Sequence, residues 1–326
     1  MKGKAPNLDN LEEQLSSRVV DQPAAIKAVA AALRSCFADS TPHLRSLLLF
    51  LGSPGSGKTE LARQIANYLY SDERALIRLN CSMLNNDVSV ARLIGTSAPG
   101  EDGILGRALK TKPHSIILLD EAELASPEVL DIFLNIVKEG QVTAGNGKVF
   151  KCSNNIVILK SAIGSDYIAS SGSVQAVDKI VNDEVFKCFG KDFADLVHCT
   201  ALFQSLSEES ISKIVKLNLN QVQRRFSMYG FGKSLGIDLD ESALHYLYQR
   251  GCSKKLGAKS LNNIIENELL GQLAIMLLSG QVKDEETVSV TIGKRGLELL
   301  PNHEVVDIAV GNDDDWDDSD QYEEYF

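Results

Sequence analysis

Eight consecutive residues, Gly52-Ser53-Pro54-Gly55-Ser56-Gly57-Lys58-Thr59, carry the chemistry that is simplest to name in this sequence. Their spacing fits G-x-x-x-x-G-K-[ST], a turn whose glycines let backbone N–H groups close on phosphate oxygens without a Cβ in the way. A helix opening at the Lys-Thr pair adds unpaired N–H groups and the positive end of its dipole. Lys58 supplies a mobile cation for the outer phosphates, and Thr59 offers a hydroxyl to the magnesium ion that accompanies them. The stretch from Gly52 to Glu60, Pro54 and Ser56 included, is the expected phosphate cradle. About sixty residues later the apolar run "SIILLD" ends in Asp120-Glu121. A buried strand releasing two carboxylates there is expected to set them beside the phosphates on the neighbouring strand's loop. Asp120 would hold magnesium through water, and Glu121 would be the base that polarises an attacking water. Alone, such a pair is more often a solvated strand end; the phosphate loop upstream reverses those odds.

Positioning these groups takes a sheet. Apolar strand candidates are "SLLLFLG", "ALIRLNC", "HSIILLD" and "NNIVILKSA", separated by the helical patterns "KTELARQIANYLY", "SVARLIG" and "PEVLDIFLNIVKEG". That alternation predicts an α/β fold with a parallel sheet covered by helices on both faces. Helices also precede it, from about Leu8 to Phe37, with Pro23 in the first turn of the second. After about Ser205 the pattern turns to amphipathic helices and then a short strand pair, "TVSVTIG" and "LELLP". The expected division is a nucleotide-binding α/β domain over 1–205, a smaller α+β lid over 206–301, and a tail over 302–326 that is too acidic and aliphatic-poor to fold.

Charge points the same way. The net value of −11 arises largely at the end of that tail, where the eight acidic residues of "NDDDWDDSDQYEEYF" leave the remaining body near −3. A body without a Lys/Arg cluster argues against a nucleic-acid footprint. Six scattered cysteines, with no C-x-x-C pair, argue for reduced thiols rather than a disulfide framework or zinc site. The N-terminus lacks the apolar core of a secretory signal, and no apolar run approaches the ~20 residues that span a bilayer. A soluble, cytoplasmic protein is expected, with the nucleus as the other compartment open to it.

The stretches "LEEQLSSRVVDQPAAIKAVAAAL", "FLGSPGSGKTELA", "HSIILLDEAELASPEVLDIFLNIVKEGQVTAGNGKVF", "IVKLNLNQVQRRF" and "LGAKSLNNIIENEL" resemble an AAA+ module, and more narrowly the second ATPase module of the ClpA/ClpB chaperone family. The likeness runs from about Leu11 to Pro301 and covers one module, without the N-terminal domain, first ring or middle segment of full-length members. The resemblance implies ATP and Mg2+ as cofactors, with Val19 and Val20 bordering the adenine and Lys259 in the lid. It also implies a ring, in this family a hexamer, or co-assembly with a full-length Clp chaperone, and protein clients.

Five positions depart from the family pattern. The Gly before Gln22 is Asp21. "VILKSAIGS" puts Ala162 where an Asn would orient the lytic water. "DFADLVH" puts Leu196 where an arginine finger would reach a neighbouring subunit, leaving Lys191, Arg224 and Arg225 as substitutes with nothing to fix their positions. The lid arginine is Lys259. The substrate-gripping pore loop reads Gly100-Glu101-Asp102-Gly103, two carboxylates where an apolar grip is expected. The implied function is an ATP-binding chaperone or remodelling ATPase of ClpB type with weakened hydrolysis; the alternative is a pseudo-ATPase scaffold that uses nucleotide for assembly and recruits partners. A DNA-linked AAA+ ATPase is a more distant rival.

Overall fold

Ser46–Gly52 is buried at all seven positions, which only a strand covered on both faces permits. It is β1 of a computed structural model that describes residues 7–38, 46–86, 88–170, 174–228, 236–251, 259–282, 286–293 and 296–301. The expected acidic tail lies outside those residues. The chain divides into two compact units, Met1–Val215 with Gly251–Ser260, and Lys216–Arg250 with Leu261–Phe326.

In chain order the first unit holds α1 (Leu11–Ser16), α2 (Pro23–Ala38), β1, α3 (Lys58–Tyr70), β2 (Leu76–Asn80), α4 (Ser89–Ile94), α5 (Gly103–Thr111), β3 (Ser115–Asp120), α6 (Pro127–Glu139), β4 (Gln141–Thr143), β5 (Val149–Lys151), β6 (Asn155–Ser161), α7 (Ser165–Ser170), α8 (Val174–Phe189), α9 (Lys191–Ala194) and β7 (Cys199–Phe203). The main sheet is parallel throughout, in the order β2-β3-β6-β1-β7. Period-two alternation sorts its side chains. Leu48, Phe50, Ile116, Leu118, Ile156 and Ile158 pack against α1, α2 and α3. Leu49, Leu51, Ile117, Leu119, Val157 and Leu159 face the other way, toward α5, α6 and α8.

This order corrects one expectation. β3 is not the neighbour of β1; β6 lies between them, paired Leu48↔Ile158 on one side and Leu118↔Ile158 on the other. The residues at the end of β6 therefore stand between the phosphate turn and Asp120. Apolar strand patterns show which segments are buried but carry no information on sheet order.

The fifth strand, β7, was not among the strand candidates. Only Ala201 and Phe203 of its five residues are buried, as befits an edge strand, so its apolar signal is weak. It matters for the turn nonetheless. A Cβ built on Gly52 would lie 2.4 Å from the Phe203 carbonyl oxygen, and Gly52 has φ +139°. Gly52→Ala is expected to cost about 2–4 kcal/mol of stability through clash and backbone strain together. Urea unfolding checks this, and a loss under about 0.5 kcal/mol, the range of an ordinary surface substitution, would contradict it.

Helix α10 (Glu208–Met228) runs across the boundary between the units. The second unit contains β8 (Gly236–Leu239), α11 (Glu241–Gly251), α12 (Lys259–Ile264), a π-helical segment Ile265–Leu270, α13 (Gly271–Leu278), β9 (Thr287–Gly293) and β10 (Gly296–Pro301). The expected strand pair is the antiparallel hairpin β9–β10, and β8 joins it in parallel to make three strands. Ile265, Leu269 and Leu273 are buried at a spacing of four, one face of the α12–α13 helix run.

Candidate phosphate-binding site

The turn leaves β1 at its C-terminal end and enters α3 through Gly57, whose φ of +101° is a conformation that L side chains rarely adopt. Lys58 opens the helix and is 3% exposed. Its ammonium donates to the carbonyls of Gly52 at 2.5 Å and Ser53 at 2.7 Å, and to Ser56 Oγ at 3.3 Å. Burial, reinforced by the Lys160 cation and partly offset by Glu123 and Asp120, pulls Lys58 down to about 7. A buried cation without a carboxylate hydrogen bond, held in a ring of backbone carbonyls, is a group poised for an anionic ligand. Thr59 follows on the helix and is half-buried. Glu60 accepts hydrogen bonds from Arg63 and Gln64 on its own helix.

Two further contacts fix the turn. Gln22, 2% exposed, donates to the carbonyls of Ser56 (3.1 Å) and Gln204 (2.9 Å), and its amide oxygen accepts from Gln204 N–H (2.9 Å). It ties the N-terminal helices to the turn and to the end of β7. Val19 packs beside Gly57, 3.6 Å from where a Cβ would stand, and is buried; Val20 is half-buried. Asp21 accounts for its own departure from glycine. It holds φ +51°, and its carboxylate accepts from Ser210 Oγ at 2.6 Å and pairs with Lys213 at 3.2 Å. A short polar side chain that bonds locally is the usual tolerated substitute in this region.

Asp120 ends β3, 6% exposed, directly opposite Lys160 in the register with β6. Lys160 Nζ is in ion-pair contact with Asp120 Oδ1, while Arg78 from β2 reaches Oδ2 through Nε at 3.0 Å and through Nη2. Burial pushes the Asp120 carboxyl upward, but the two cations outweigh it and hold the group below its ordinary value. Both carboxylate oxygens of Asp120, the residue expected to hold magnesium together with Thr59, thus already face a positive charge. Among the described residues no group of three or more His, Cys, Asp or Glu is arranged to hold a metal ion.

Glu121 follows in the left-handed conformation, φ +57°, with its side chain exposed. Ala162 presents only its backbone, whose N–H donates to Glu123 Oε1 at 3.1 Å; Glu123 Oε2 is buried without a hydrogen-bond donor. Leu196 packs at the margin of the core beside Phe193, as a leucine does and an arginine finger would not. Lys191 is exposed at the start of α9. Arg224 and Arg225 lie in α10 and Lys259 begins α12, with side chains outside the described residues.

Lys160, Arg78, Glu123 and Gln22 were missed as site residues. A lysine in the otherwise apolar "NIVILKS" was the signal available for Lys160, since burying a lone cation at the end of a core strand demands a partner.

The segment Gly100–Gly103 also differs from expectation. Asp102 is 2% exposed and is held by Lys110 Nζ and by Asn146 Nδ2 at 2.9 Å, so Glu101 alone of the two carboxylates faces solvent. The Lys110 hydrogen bond first, then that of Asn146, depresses the Asp102 carboxyl. A depressed carboxyl contributes stability above its unfolded value, near ~3.9, and loses it as the pH falls through the folded value. Asp102→Asn is thus expected to melt below the wild type near pH 7, with the gap closing below about pH 4. A gap of equal size in acid would contradict it.

Residues 44–197 match the family described as AAA domain (Cdc48 subfamily), and residues 206–290 match the C-terminal, D2-small domain, of ClpB protein. The chain is 32% identical over 309 residues to heat shock protein 104 of Schizosaccharomyces pombe, covering 90% of this chain and 34% of that protein. It is 36% identical over 312 residues to chaperone protein ClpB of Aquifex aeolicus, covering 90% of this chain and 30% of the relative. The chain thus spans about a third of the length of these curated relatives. Among solved structures, the S. cerevisiae Hsp104–ADP complex superposes with a TM-score of 0.81 at 37% identity, over 90% of this chain and 52% of that one. A closed-state Hsp104 reconstruction with ATPγS and FITC-casein gives 0.74 at 37% identity, over 91% of this chain and 52% of that one.

Proposed function

The chain belongs to the ClpA/ClpB family of AAA+ proteins, and from that premise we propose that it binds ATP and ADP as a ClpB-type chaperone module whose own hydrolysis is slow. The observation that carries the reading is Lys58, a buried ammonium held by its own loop's carbonyls at the start of α3. Phosphate oxygens would take over its N–H donors, joined by the backbone N–H groups from Gly55 to Thr59. Val19 and Val20 would border the base. Lys259 would be the lid cation, and the domains would divide near residues 205 and 301.

Hydrolysis needs a base, a held water and charge stabilisation on the transferred phosphoryl group. Glu121 would take the proton. Ala162 brings no side-chain amide to the water, and Leu196 brings no charge to a neighbouring site. A missing donor of this kind raises a barrier by about 2.7–4 kcal/mol. Assembly into a ring, a hexamer or a mixed ring with a full-length Clp chaperone, belongs to this reading as what the family resemblance implies, and protein substrates would fit the similarity to the solved structure named with casein. A cytoplasmic or nuclear location belongs to the same reading.

The second reading, a scaffold that uses bound nucleotide only to set its assembly, is favoured by the pairing of Asp120 with Lys160 and by Ala162. Turnover of the wild type measured against Glu121→Gln separates the two. A rate above that variant supports a slow enzyme; equal rates with intact binding leave the scaffold. Absence of nucleotide binding removes both.

A further inference from the structure

We infer that Lys160 takes the position beside Asp120 that a divalent cation would serve, so that the site holds nucleoside di- and triphosphates without needing magnesium. This rests on the nucleotide reading above. Lys160 pairs across the sheet with Phe50 of β1 on one side and with Asp120 of β3 on the other. It stands on the face that carries α3, because it continues the alternation Ile156, Ile158, Lys160, whose two isoleucines lie in the cluster that α3 covers. Its side chain is 20% exposed, whereas that of Arg78, the other partner of Asp120, is 50% exposed. The lysine is therefore the more buried cation of the two, and its field is felt at Lys58.

An ammonium has three donors and no acceptor. One direction in this structure faces Asp120 Oδ1 in the ion pair, which leaves donors for oxygens of a phosphate chain lying between Lys160 and the turn. A compact ammonium acts on phosphate as a point charge, the part a hydrated magnesium ion plays when a carboxylate holds it against the outer phosphates. Lysine brings one charge instead of two and cannot polarise the phosphoryl group as a Lewis acid. The exchange favours retention of nucleotide over its cleavage, in the same direction as the loss of the amide at Ala162.

The test is calorimetric titration of the full chain with ADP and with ATP, in excess magnesium and in excess EDTA. The wild type is expected to change its affinity by less than about threefold between the two conditions, under 1 kcal/mol. Lys160→Met keeps most of the length of the side chain and removes its charge. It is expected to bind at least about tenfold more weakly in EDTA and to recover with magnesium once Oδ1 of Asp120 is released. A wild type that loses tenfold or more in EDTA overturns the inference even if the variant cannot be folded. A Lys160→Met protein as indifferent to magnesium as the wild type overturns it too, leaving Lys160 as a structural ion pair. Silence of the wild type under both conditions withdraws the nucleotide reading itself and this inference with it, a result distinct from magnesium-dependent binding.

Discussion

Lys58→Ala is expected to weaken ADP and ATP binding by about 100-fold, the loss of roughly two charge-assisted hydrogen bonds at 1.5 kcal/mol or so each. The reason lies in the present partners of the ammonium. Gly52 and Ser53 offer it carbonyls, not a countercharge, and burial has already drawn it down to about 7. A phosphate chain supplies the missing negative charge, so the gain on binding is concentrated in this one side chain. Fluorescence anisotropy of a labelled ADP gives the affinity, and circular dichroism confirms that the variant is folded. A folded Lys58→Ala that binds within about threefold of the wild type would show that the turn does not cradle phosphate.

Ala162→Asn is expected to raise ATP turnover by about tenfold or more, part of the 10²–10³ that one well-aimed donor contributes in other hydrolases. The backbone at this position is anchored, since the Ala162 N–H is tied to Glu123 and Ser161 closes β6 in register with Leu51 of β1. A new amide would therefore leave a fixed Cα at the C-terminal edge of the sheet, on the side where Glu121 emerges. The gain should appear in kcat with little change in nucleotide affinity, because an amide that orients water acts chiefly on the transition state. An unchanged kcat in a variant that still binds nucleotide would mean that another absence, such as the finger at Leu196, sets the rate.

The parts of this fold that were legible in the sequence are those with a strong local signal. Four strands of the main sheet have apolar runs long enough to read directly, and Gly52–Thr59 has a spacing that few other structures need. β7 was not legible because an edge strand buries few of its residues, and β8 because four residues make too short a pattern. Strand order was not legible at all, and with it went the placing of β6 between the turn and Asp120. That single topological fact brings Lys160 into the site. Asp102 illustrates the same limit in the other direction. Its neighbour Glu101 is exposed while it is buried against Lys110 and Asn146, and nothing in four residues of sequence distinguishes the two carboxylates.

The site thus joins a complete cradle to an incomplete cleavage apparatus, and the two halves make opposite demands on one experiment. Isothermal titration with ADP and ATP, followed by phosphate release from the same samples, measures both. The account predicts dissociation constants in the micromolar range, about −8 kcal/mol, with phosphate release above that of Glu121→Gln but far below that of a typical enzyme. No heat at about millimolar nucleotide, or release at the ~10 s⁻¹ of a typical enzyme, would contradict it.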